Sequence, residues 1–481
     1  MPKNLSDLTG RKGIEENLFN KLGEAAASGD GTPSAEELER LADEFLIGKA
    51  NVYGSASFYD CLKSENQGKK VYVCNGSACL CAGTQDKLIS DLKGKFKDEE
   101  IGHMTCLGRC HENGAFNYDG KNYSGLDAEG IEAVFGGVGK NQDDYHVKSL
   151  GVPVLTAHFE GMEELADLLK AELERDSADV LEEIKAAGVR GRGGAGFPMG
   201  LKWEFARNNE SDLKFIICNA DEGDPGAYSD RYLLEQRPHA VLFGMIIAGY
   251  SMKAEWGVLY IRAEYPEAFS IVESAIEDFR SSGLLGKNIN GKGFNFDFKI
   301  VPGQGSYICG EETALISSIE GQRPEVRVRP PFPAEKGLFN KPTIVNNVET
   351  LATVPYIMRH GGAAYEALGT SKSNGTKLIS LDSFFNNPGI YEVEMGTTLR
   401  EVIDDLGGGF KEPVKAMHIG GPLGGIVPVS MIDELTIDFE TFAEKGFMLG
   451  HASIVSIPES FPIMTYLVEL MDFAAVESCG K

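Results

Sequence analysis

Four cysteines in the first quarter of the chain have a spacing that suits an iron-sulfur cluster with two irons. Cys74 and Cys79 enclose four residues, and Cys106 and Cys110 enclose three. The first gap is longer than that of a structural zinc knuckle, and glycines near both pairs let the backbone approach inorganic sulfide. The pattern therefore predicts electron transfer through a 2Fe-2S centre. Zinc binding and buried or disulfide-bonded cysteines are the alternatives.

The elements around these cysteines predict a small α/β unit. Strand-like runs over 70–73 and 102–105 lead into the two cysteine pairs, a helical pattern covers 85–96, and Asp119-Gly120 turns a hairpin. Thiolates on two neighbouring loops of such a unit are typical of a thioredoxin-like ferredoxin. Before it, apolar spacing predicts helices from Ile14 to Leu22 and from Ser34 onwards, which together form a helical cap.

Composition limits the function classes. The chain has 481 residues, 46 basic and 72 acidic, with a formal net charge of −26. Such a charge repels nucleic acid and anionic lipid, so no nucleic-acid partner is expected. No apolar run reaches the length of a membrane span and no secretory signal opens the chain, which predicts a cytoplasmic protein without direct membrane insertion. Nine cysteines grouped by motif suit thiolate ligands better than a disulfide framework.

A glycine-rich loop at 191–196 is the second feature with chemical meaning. It contains the G-x-G-x-x-G pattern, but a helix over 180–188 precedes it, whereas a Rossmann fingerprint follows a strand. What remains is a loop whose successive N–H groups can surround a phosphate, with Arg190 and Arg192 adding charge. A flexible turn is the alternative.

Polar loops that follow apolar strands predict the rest of the site. A buried strand over 214–219 runs into the acidic loop 220–231, and open α/β sheets bind ligands at such strand ends. Further strands are expected over 258–262 and 298–301, with a helix over 266–279 between them. The segments G-E-E-T-A-L from Gly310 and N-N-V-E-T from Asn346 then add carboxylates and paired asparagines.

Taken together, these segments resemble the NADH-binding flavoprotein subunit of respiratory complex I and its soluble relatives. The matching motifs are R-G-R-G-G-A-G-F-P, C-N-A-D-E-G-D-P-G-A-Y-S-D-R, Y-I-C-G-E-E-T-A-L, R-P-P-F-P-A-E-K-G-L and K-P-T-I-V-N-N-V-E-T-L, spread over about 190–355. The resemblance implies FMN in a Rossmann-like domain, with NAD(H) stacked on the flavin. The fused ferredoxin domain is typical of formate dehydrogenase beta subunits and hydrogenase diaphorase subunits.

Carried over at matching positions, the resemblance implies two groups of ligand residues. FMN would be surrounded by Gly191, Arg192, Gly193, Gly194, Lys202, Asn219, Asp221, Tyr307, Gly310, Glu312, Asn346, Asn347 and Thr350. NAD(H) would meet Phe197, Phe205, Glu222, Glu311 and Phe332. Glu222 and Lys202 are expected to act closest to the chemistry, with Lys202 neutralising a phosphate or the reduced flavin. Glu311 would accept from the ribose hydroxyls and repel a 2'-phosphate, which favours NADH over NADPH.

The C-terminal part resembles the β-grasp module that binds soluble ligands in this family, followed by the start of a helical bundle. Relatives continue with S-C-G-x-C-x-P-C-R and a later cysteine, which bind a 4Fe-4S cluster, whereas this sequence ends at Lys481. Cys479 matches the first of those ligands. A 4Fe-4S cluster is therefore expected only if the chain continues beyond residue 481 or another polypeptide completes the site.

The sequence thus predicts an α/β multidomain protein. The expected parts are a helical cap (1–62), a thioredoxin-like 2Fe-2S domain (63–143), an FMN- and NAD(H)-binding domain (144–370), a β-grasp domain (371–452) and the start of a helical bundle (453–481). The expected function is a diaphorase that exchanges hydride between NAD(H) and FMN and single electrons with clusters. A molybdenum or tungsten formate dehydrogenase subunit is the first expected partner. The alternatives are a hydrogenase subunit, complex I, or a non-catalytic electron-transfer role.

Overall fold

The computed structural model has a mixed α/β architecture built around three sheets. It describes residue 10 and residues 13–14, 18–28, 33–66, 68–139, 141–158 and 161–481. Part of the first predicted helix, at 15–17, lies outside these residues. The sheets have four, five and six strands, so the predicted α/β class is confirmed.

Three short helices open the described chain: α1 (Leu18–Ser28), α2 (Ala35–Glu44) and α3 (Lys49–Phe58). Ser34 caps α2 through a capping box with Glu37. The buried residues of these helices pack with Phe215, Ile217 and Val258 of the five-stranded sheet. The helices therefore cover one face of the central sheet, although the ferredoxin unit follows them in sequence.

The four-stranded sheet carries the first two cysteine pairs. Its unit contains β1 (Val71–Cys74), α4 (Ser77–Cys81), α5 (Gln85–Leu92), β2 (Ile101–Met104), β3 (Phe116–Tyr118), β4 (Lys121–Tyr123) and α6 (Ala128–Phe135). The strand order is β2-β1-β3-β4, and β1 and β2 are parallel. Because parallel neighbours end at the same edge of a sheet, the loops that follow β1 and β2 meet there.

The five-stranded sheet forms the centre of the molecule. Its elements are α7 (Met162–Glu174), α8 (Ser177–Ala186), α9 (Met199–Asn208), β6 (Phe215–Ala220), α10 (Ser229–Gln236), α11 (Pro238–Met252), β7 (Trp256–Ile261), α12 (Pro266–Ser281), β8 (Gly286–Ile289), β9 (Phe294–Pro302), α13 (Glu312–Ile319), α14 (Pro333–Lys336), β10 (Thr343–Asn347), α15 (Val348–Ala352), α16 (Val354–His360) and α17 (Gly362–Glu366). The strand order is β10-β6-β7-β9-β8, with only β8 antiparallel to its neighbour. The carboxyl ends of β10 and β6 are thus adjacent.

The six-stranded sheet draws on a wider stretch of sequence than expected. Its elements are β5 (His146–Leu150), β11 (Thr376–Leu381), β12 (Gly389–Glu394), α18 (Leu399–Glu401), β13 (Val414–Ile419), β14 (Gly425–Pro428), α19 (Phe439–Glu444) and β15 (Ser453–Pro458), with α20 (Ile463–Val476) after it. β5 pairs with β12, and β15 lies between β13 and β11. The sheet therefore takes strands from both sides of the predicted 371–452 range, because backbone pairing joins segments that no local pattern connects.

The segment between α6 and β5 is anchored near its end, at Asp143. Arg109 and Arg231 both contact the Asp143 carboxylate, at 3.0 Å and 2.5 Å, and His111 Nε2 lies 3.0 Å from it. Although burial opposes ionisation, the hydrogen bond from His111 and the two guanidinium groups hold the pKa of Asp143 well below its usual range. This network joins the ferredoxin unit to α10.

One apolar core runs through the ferredoxin and central units. The four predicted cluster cysteines belong to the same buried set as Trp203 on α9 and Tyr265 before α12. No helix in the described part of the chain is long and apolar enough to cross a membrane.

Candidate functional site

The four predicted cluster cysteines come together at one edge of the four-stranded sheet. Cys74, Cys79, Cys106 and Cys110 are each 1–2% exposed and none is in a disulfide. Cys106 Sγ and Cys110 Sγ are 3.4 Å apart. The hydrogen bond to Cys106, together with burial, raises the pKa of the Cys110 thiol. Crowded, buried sulfur atoms of this kind suit ligation of a cation.

Geometry separates a two-iron cluster from zinc. Tetrahedral zinc with Zn–S bonds of ~2.3 Å would bring all four sulfurs within roughly 4 Å of one another. The only group of three or more His, Cys, Asp or Glu ligand atoms within 4.8 Å of one another, among described residues, is Glu222, Asp230 and His451. No three of the four sulfurs therefore lie within that distance of one another. They fit the donor set of a 2Fe-2S cluster.

Backbone N–H groups also point at these sulfurs. Gly108 donates to Cys106 Sγ at 3.4 Å, and Gly226 donates to Cys110 Sγ at 3.2 Å. Gly226 belongs to the acidic loop after β6, so the central unit contacts a cluster ligand directly. Hydrogen bonds to cluster sulfurs are one of the levers that set a reduction potential.

The glycine-rich loop rests on the start of α15. Gly191 N–H donates to the Phe197 carbonyl at 2.9 Å, and Arg192 N–H donates to Thr350 Oγ1 at 2.8 Å. A Cβ on Gly193 would lie 3.0 Å from Asn347 Cβ, so only glycine allows this approach without a shift. Gly194 has a φ of +120°. The structure thus brings these predicted FMN residues together.

The two arginines beside the loop have different partners. Arg190 pairs with Glu440 at 2.6 Å and lies over the ring of Phe439, both on α19. The Arg192 side chain is fully buried and donates to the Tyr365 hydroxyl at 3.1 Å. The Arg190 guanidinium is thus held by α19, whereas Nε and Nη1 of Arg192 are buried without a hydrogen-bond partner. The expected role of Arg192 toward a phosphate stays a prediction.

The floor of the site is made where β6 and β10 end. Asn219 and Asn347 are register partners on these neighbouring strands. Asn219 Nδ2 donates to the Gly310 carbonyl at 2.8 Å, and Asn347 Oδ1 accepts from Glu349 N–H at 2.9 Å as the cap of α15. Asn346 lies beneath, where its Oδ1 accepts from Trp203 Nε1 at 2.8 Å.

Lys202 and Glu312 close another side of the site. Lys202 Nζ, on α9, lies 3.1 Å from Glu312 Oε2 in the first turn of α13, and it also donates to the Val345 carbonyl at 3.1 Å. Both side chains keep 23–25% of their surface exposed. The pair therefore lies at the rim of the site.

Asp221 tests whether the site fits FMN. Its Oδ2 is buried without a hydrogen-bond partner, and burial raises the pKa of this carboxyl. A buried polar atom without a partner is costly, and a ribityl hydroxyl or a ring N–H would satisfy it. The residues around the strand ends therefore fit a flavin nucleotide.

Tyr307 and Asp224 form the side of the site nearest the C-terminal segment. The Tyr307 hydroxyl donates to Asp224 Oδ1 at 2.7 Å, and Tyr307 N–H donates to Glu477 Oε2 at 2.8 Å. Sequence reasoning missed Asp224, although it stands two residues after Glu222 in the same motif. Cys479, two residues after Glu477, is buried. Among the described residues, no group of three metal-ligand side chains includes it.

Three exposed phenylalanines lie on contacting elements. Phe197, Phe205 and Phe332 are 45%, 51% and 53% exposed. Asn209 Nδ2 donates to the carbonyls of Phe205 and Ala334, which ties the end of α9 to α14. Exposed aromatic faces beside a polar site suit stacking on a planar base.

Glu311 caps α13 and pairs with an arginine that sequence reasoning missed. Its Oε2 accepts from the N–H groups of Thr313 and Ala314 at 2.8 and 2.9 Å. Its Oε1 is paired with the Arg329 guanidinium, which also lies 3.5 Å from Glu312. A ribose that approaches Glu311 thus meets a carboxylate and a guanidinium together.

Glu222 does not join the other predicted nucleotide residues. Its carboxylate is buried and accepts from Asp230 N–H at 2.9 Å, Arg231 N–H at 3.1 Å and the Tyr265 hydroxyl at 3.0 Å. None of its hydrogen bonds reaches a residue of the predicted nucleotide group. Its expected role beside the nicotinamide stays a prediction.

Comparison with known proteins also separates the cluster cysteines from the residues at the ends of β6 and β10. Residues 15–138 match the model of the thioredoxin-like 2Fe-2S ferredoxin family. Residues 184–356 match the model of the Nuo51 FMN-binding domain. The first match covers the four cluster cysteines, called here the cysteine site. The second covers the predicted FMN residues from Gly191 to Thr350, called here the strand-end site.

Individual relatives place the chain among electron-transfer subunits. It is 46% identical over 306 residues to the NADP-reducing hydrogenase subunit HndC of Solidesulfovibrio fructosivorans. The aligned stretch covers 63% of this chain and 62% of that protein. It is 42% identical over 316 residues to an NADH-quinone oxidoreductase subunit of Rhizobium meliloti (strain 1021), which covers 65% of this chain and 75% of that protein.

A solved structure extends the likeness to nearly the whole chain. A chain in the crystal structure of an air-oxidised NAD+-reducing NiFe-hydrogenase superposes with a TM-score of 0.80 at 28% identity, covering 96% of this chain and 81% of the other. Together with the cysteine site and the strand-end site, these relatives show that the chain belongs to the family of FMN-binding flavoprotein subunits found in NADH-quinone oxidoreductases, here fused to a thioredoxin-like 2Fe-2S domain.

Proposed function

We propose that the chain is a diaphorase subunit, which exchanges hydride between NAD(H) and FMN and passes single electrons to iron-sulfur clusters. The observation that carries this proposal is the acidic loop after β6, which contacts both centres. Asp221, near its start, follows Asn219 of β6 at the predicted flavin site, and Gly226, further along, donates to Cys110 Sγ. A loop shared in this way suits an enzyme in which electrons leave one centre for the other.

The chain's own groups bind and orient in this proposal. Bound FMN supplies the conversion of an electron pair into single electrons, since nicotinamide moves pairs and clusters move one at a time. The N–H groups of the glycine-rich loop hold the phosphate, and Asp221 accepts from the ribityl chain or the ring. Lys202 offsets negative charge at the rim.

NAD(H) enters over the three exposed phenylalanines. Phe197, Phe205 and Phe332 hold the adenine by stacking, and Glu311 accepts from the ribose hydroxyls. The Glu311 carboxylate repels a 2'-phosphate, which favours NADH, whereas the Arg329 guanidinium beside it attracts one. Nucleotide choice therefore depends on the balance of this pair.

The partner is a catalytic subunit that carries further iron-sulfur clusters. The hydrogenase subunits among the relatives support a hydrogenase partner in preference to the formate dehydrogenase expected from sequence. A complex I type assembly is the second candidate, because NADH-quinone oxidoreductase subunits match to a similar degree. This chain spans only 62% of the length of HndC, so the activity of the whole assembly belongs to the proposal.

Two measurements test the proposal. The reconstituted chain is expected to show flavin absorbance and to reduce ferricyanide with NADH. The native complex is then assayed for NAD+ reduction with hydrogen and, separately, with formate, where hydrogen alone is expected to support it. Protein without flavin or iron after anaerobic reconstitution would refute the diaphorase assignment, and activity with formate alone would refute the hydrogenase partner.

A further inference from the structure

Three ionisable side chains meet in a buried cluster between the six-stranded sheet and the central unit. His451 precedes β15, Asp230 stands in the first turn of α10, and Glu222 lies in the acidic loop. Their side chains are 5%, 2% and 0% exposed. None of the roles predicted from sequence explains why a histidine next to β15 lies in this cluster.

Both ring nitrogens of His451 face carboxylates. Nε2 lies 3.2 Å from Asp230 Oδ2, and Nδ1 lies 3.5 Å from Glu222 Oε1. Nδ1 also lies 3.4 Å from the Ser229 hydroxyl, which itself donates to Glu222 Oε1 at 3.2 Å. A protonated ring, which carries an N–H on both nitrogens, suits this position between two carboxylates. Burial opposes that charge, but Asp230 and Glu222 raise the pKa of His451 to about 9, against a smaller opposing effect of Lys377.

A metal ion fits this cluster less well than a proton. The ligand atoms lie within 4.8 Å of one another, which would allow an ion. However, Glu222 already accepts from two backbone N–H groups and the Tyr265 hydroxyl. A protonated imidazole between the two carboxylates already supplies the positive charge that an ion would bring.

Asp230 connects the cluster to the predicted flavin site. Its Oδ2 accepts from Asn347 Nδ2 at 2.6 Å as well as facing His451. The other end of the Asn347 amide accepts from Glu349 N–H at the start of α15. These contacts fix which way the amide points, and the glycine-rich loop rests on the same residue through Gly193.

We propose that His451 is a positioning residue for the flavin site: it holds the Asp230 carboxylate in place, and Asp230 in turn fixes the Asn347 amide beside the glycine-rich loop. The inference rests on the proposed function, because the role of Asn347 toward FMN is itself predicted. Loss of the histidine leaves two buried carboxylates facing each other without a cation, so the Asp230 side chain is no longer held beside Asn347.

The test compares His451→Gln with His418→Gln as a matched control. His418 is also a buried histidine of the six-stranded sheet, but its Nδ1 lies 2.8 Å from the Tyr466 hydroxyl, outside the residues described for the flavin site. The dissociation constant of FMN is measured by fluorescence titration of the flavin-free protein at pH 7 and pH 9.5. Asp230→Asn, which keeps the shape of the side chain, is the second variant.

We expect His451→Gln and Asp230→Asn to weaken FMN binding at least tenfold at pH 7 and His418→Gln to change it less than twofold. Wild type and His418→Gln are expected to lose affinity from pH 7 to pH 9.5 more than His451→Gln does, because His451 loses its proton over that interval and the variant has no imidazole to lose one. The charged groups that face His451 are Asp230, Glu222 and Lys377. The 2Fe-2S EPR signal is expected in every variant.

Three results would overturn the inference. One is equal FMN affinity in wild type, His451→Gln and Asp230→Asn. Another is an equal pH response in wild type and His451→Gln. The third is a divalent metal, beyond the cluster iron, that wild type holds and His451→Gln lacks. Wild type that binds no FMN would instead refute the proposed function, so the two failures are distinguishable.

Discussion

Removal of the Glu311 carboxylate is expected to open the site to NADPH by releasing Arg329. In the structure the guanidinium of Arg329 is paired with Glu311 and lies 3.5 Å from Glu312. Glu311→Ala removes the repulsion of a 2'-phosphate and frees the guanidinium to bind it. Two separate residues thus contribute to one change in specificity.

The magnitude follows from one charge-assisted hydrogen bond. Such bonds contribute about 1.5–3 kcal/mol, and partial exposure of the pair reduces this to about 1–2 kcal/mol. At 1.36 kcal/mol for each factor of ten, kcat/KM for NADPH relative to NADH should rise roughly 5- to 30-fold. The assay is steady-state ferricyanide reduction with each nucleotide.

Two further variants separate the causes. Glu311→Gln keeps an oxygen to cap α13, so it controls for the roughly 1 kcal/mol that a lost cap costs. The double variant Glu311→Ala/Arg329→Ala is expected to return most of the way to the wild-type ratio. An unchanged ratio in Glu311→Ala, or a double variant equal to the single one, would refute the reasoning.

Three other predictions use different parts of the molecule. Cys106→Ser should remove the 2Fe-2S EPR signal while flavin stays bound, and loss of both would show that the two centres fold together. Lys377→Met leaves the buried Glu349 carboxylate unpaired and should cost about 3–5 kcal/mol in urea unfolding, which Lys377→Met/Glu349→Gln should largely restore. Burial raises the pKa of Asp382 to about 6 from 3.8, so its ionisation removes about 3 kcal/mol of stability as the pH rises from the lower value through the higher one. Asp382→Asn should abolish this fall in the free energy of unfolding. Urea unfolding of both proteins at about pH 4 and pH 7 measures it, and an equal fall in the variant would contradict the prediction.

Much of the fold could be predicted because local signals agree with it. The strand before Cys74 was expected over 70–73 and is found at Val71–Cys74, and the helix expected over 266–279 is Pro266–Ser281. Apolar periodicity, caps and turn residues act over a few neighbours, so a single sequence displays them.

The missed features depend on contacts between distant segments. β5 joins a sheet whose other strands begin more than 200 residues later, at Thr376. Arg190 looks like a phosphate ligand in sequence, but Glu440 and Phe439 hold it elsewhere. His451 stands between Gly450 and Ala452 with no motif around it. In each case the neighbours come from packing between segments far apart in sequence: β12 for β5, α19 for Arg190 and α10 for His451.

The anchored segment at Asp143 has a consequence for how electrons travel. Arg109 and His111 hold it from the ferredoxin unit and Arg231 holds it from the central unit, so these ion pairs resist separation of the two units. Tunnelling between the centres then requires no prior docking search, and its rate should stay constant when glycerol thickens the solvent.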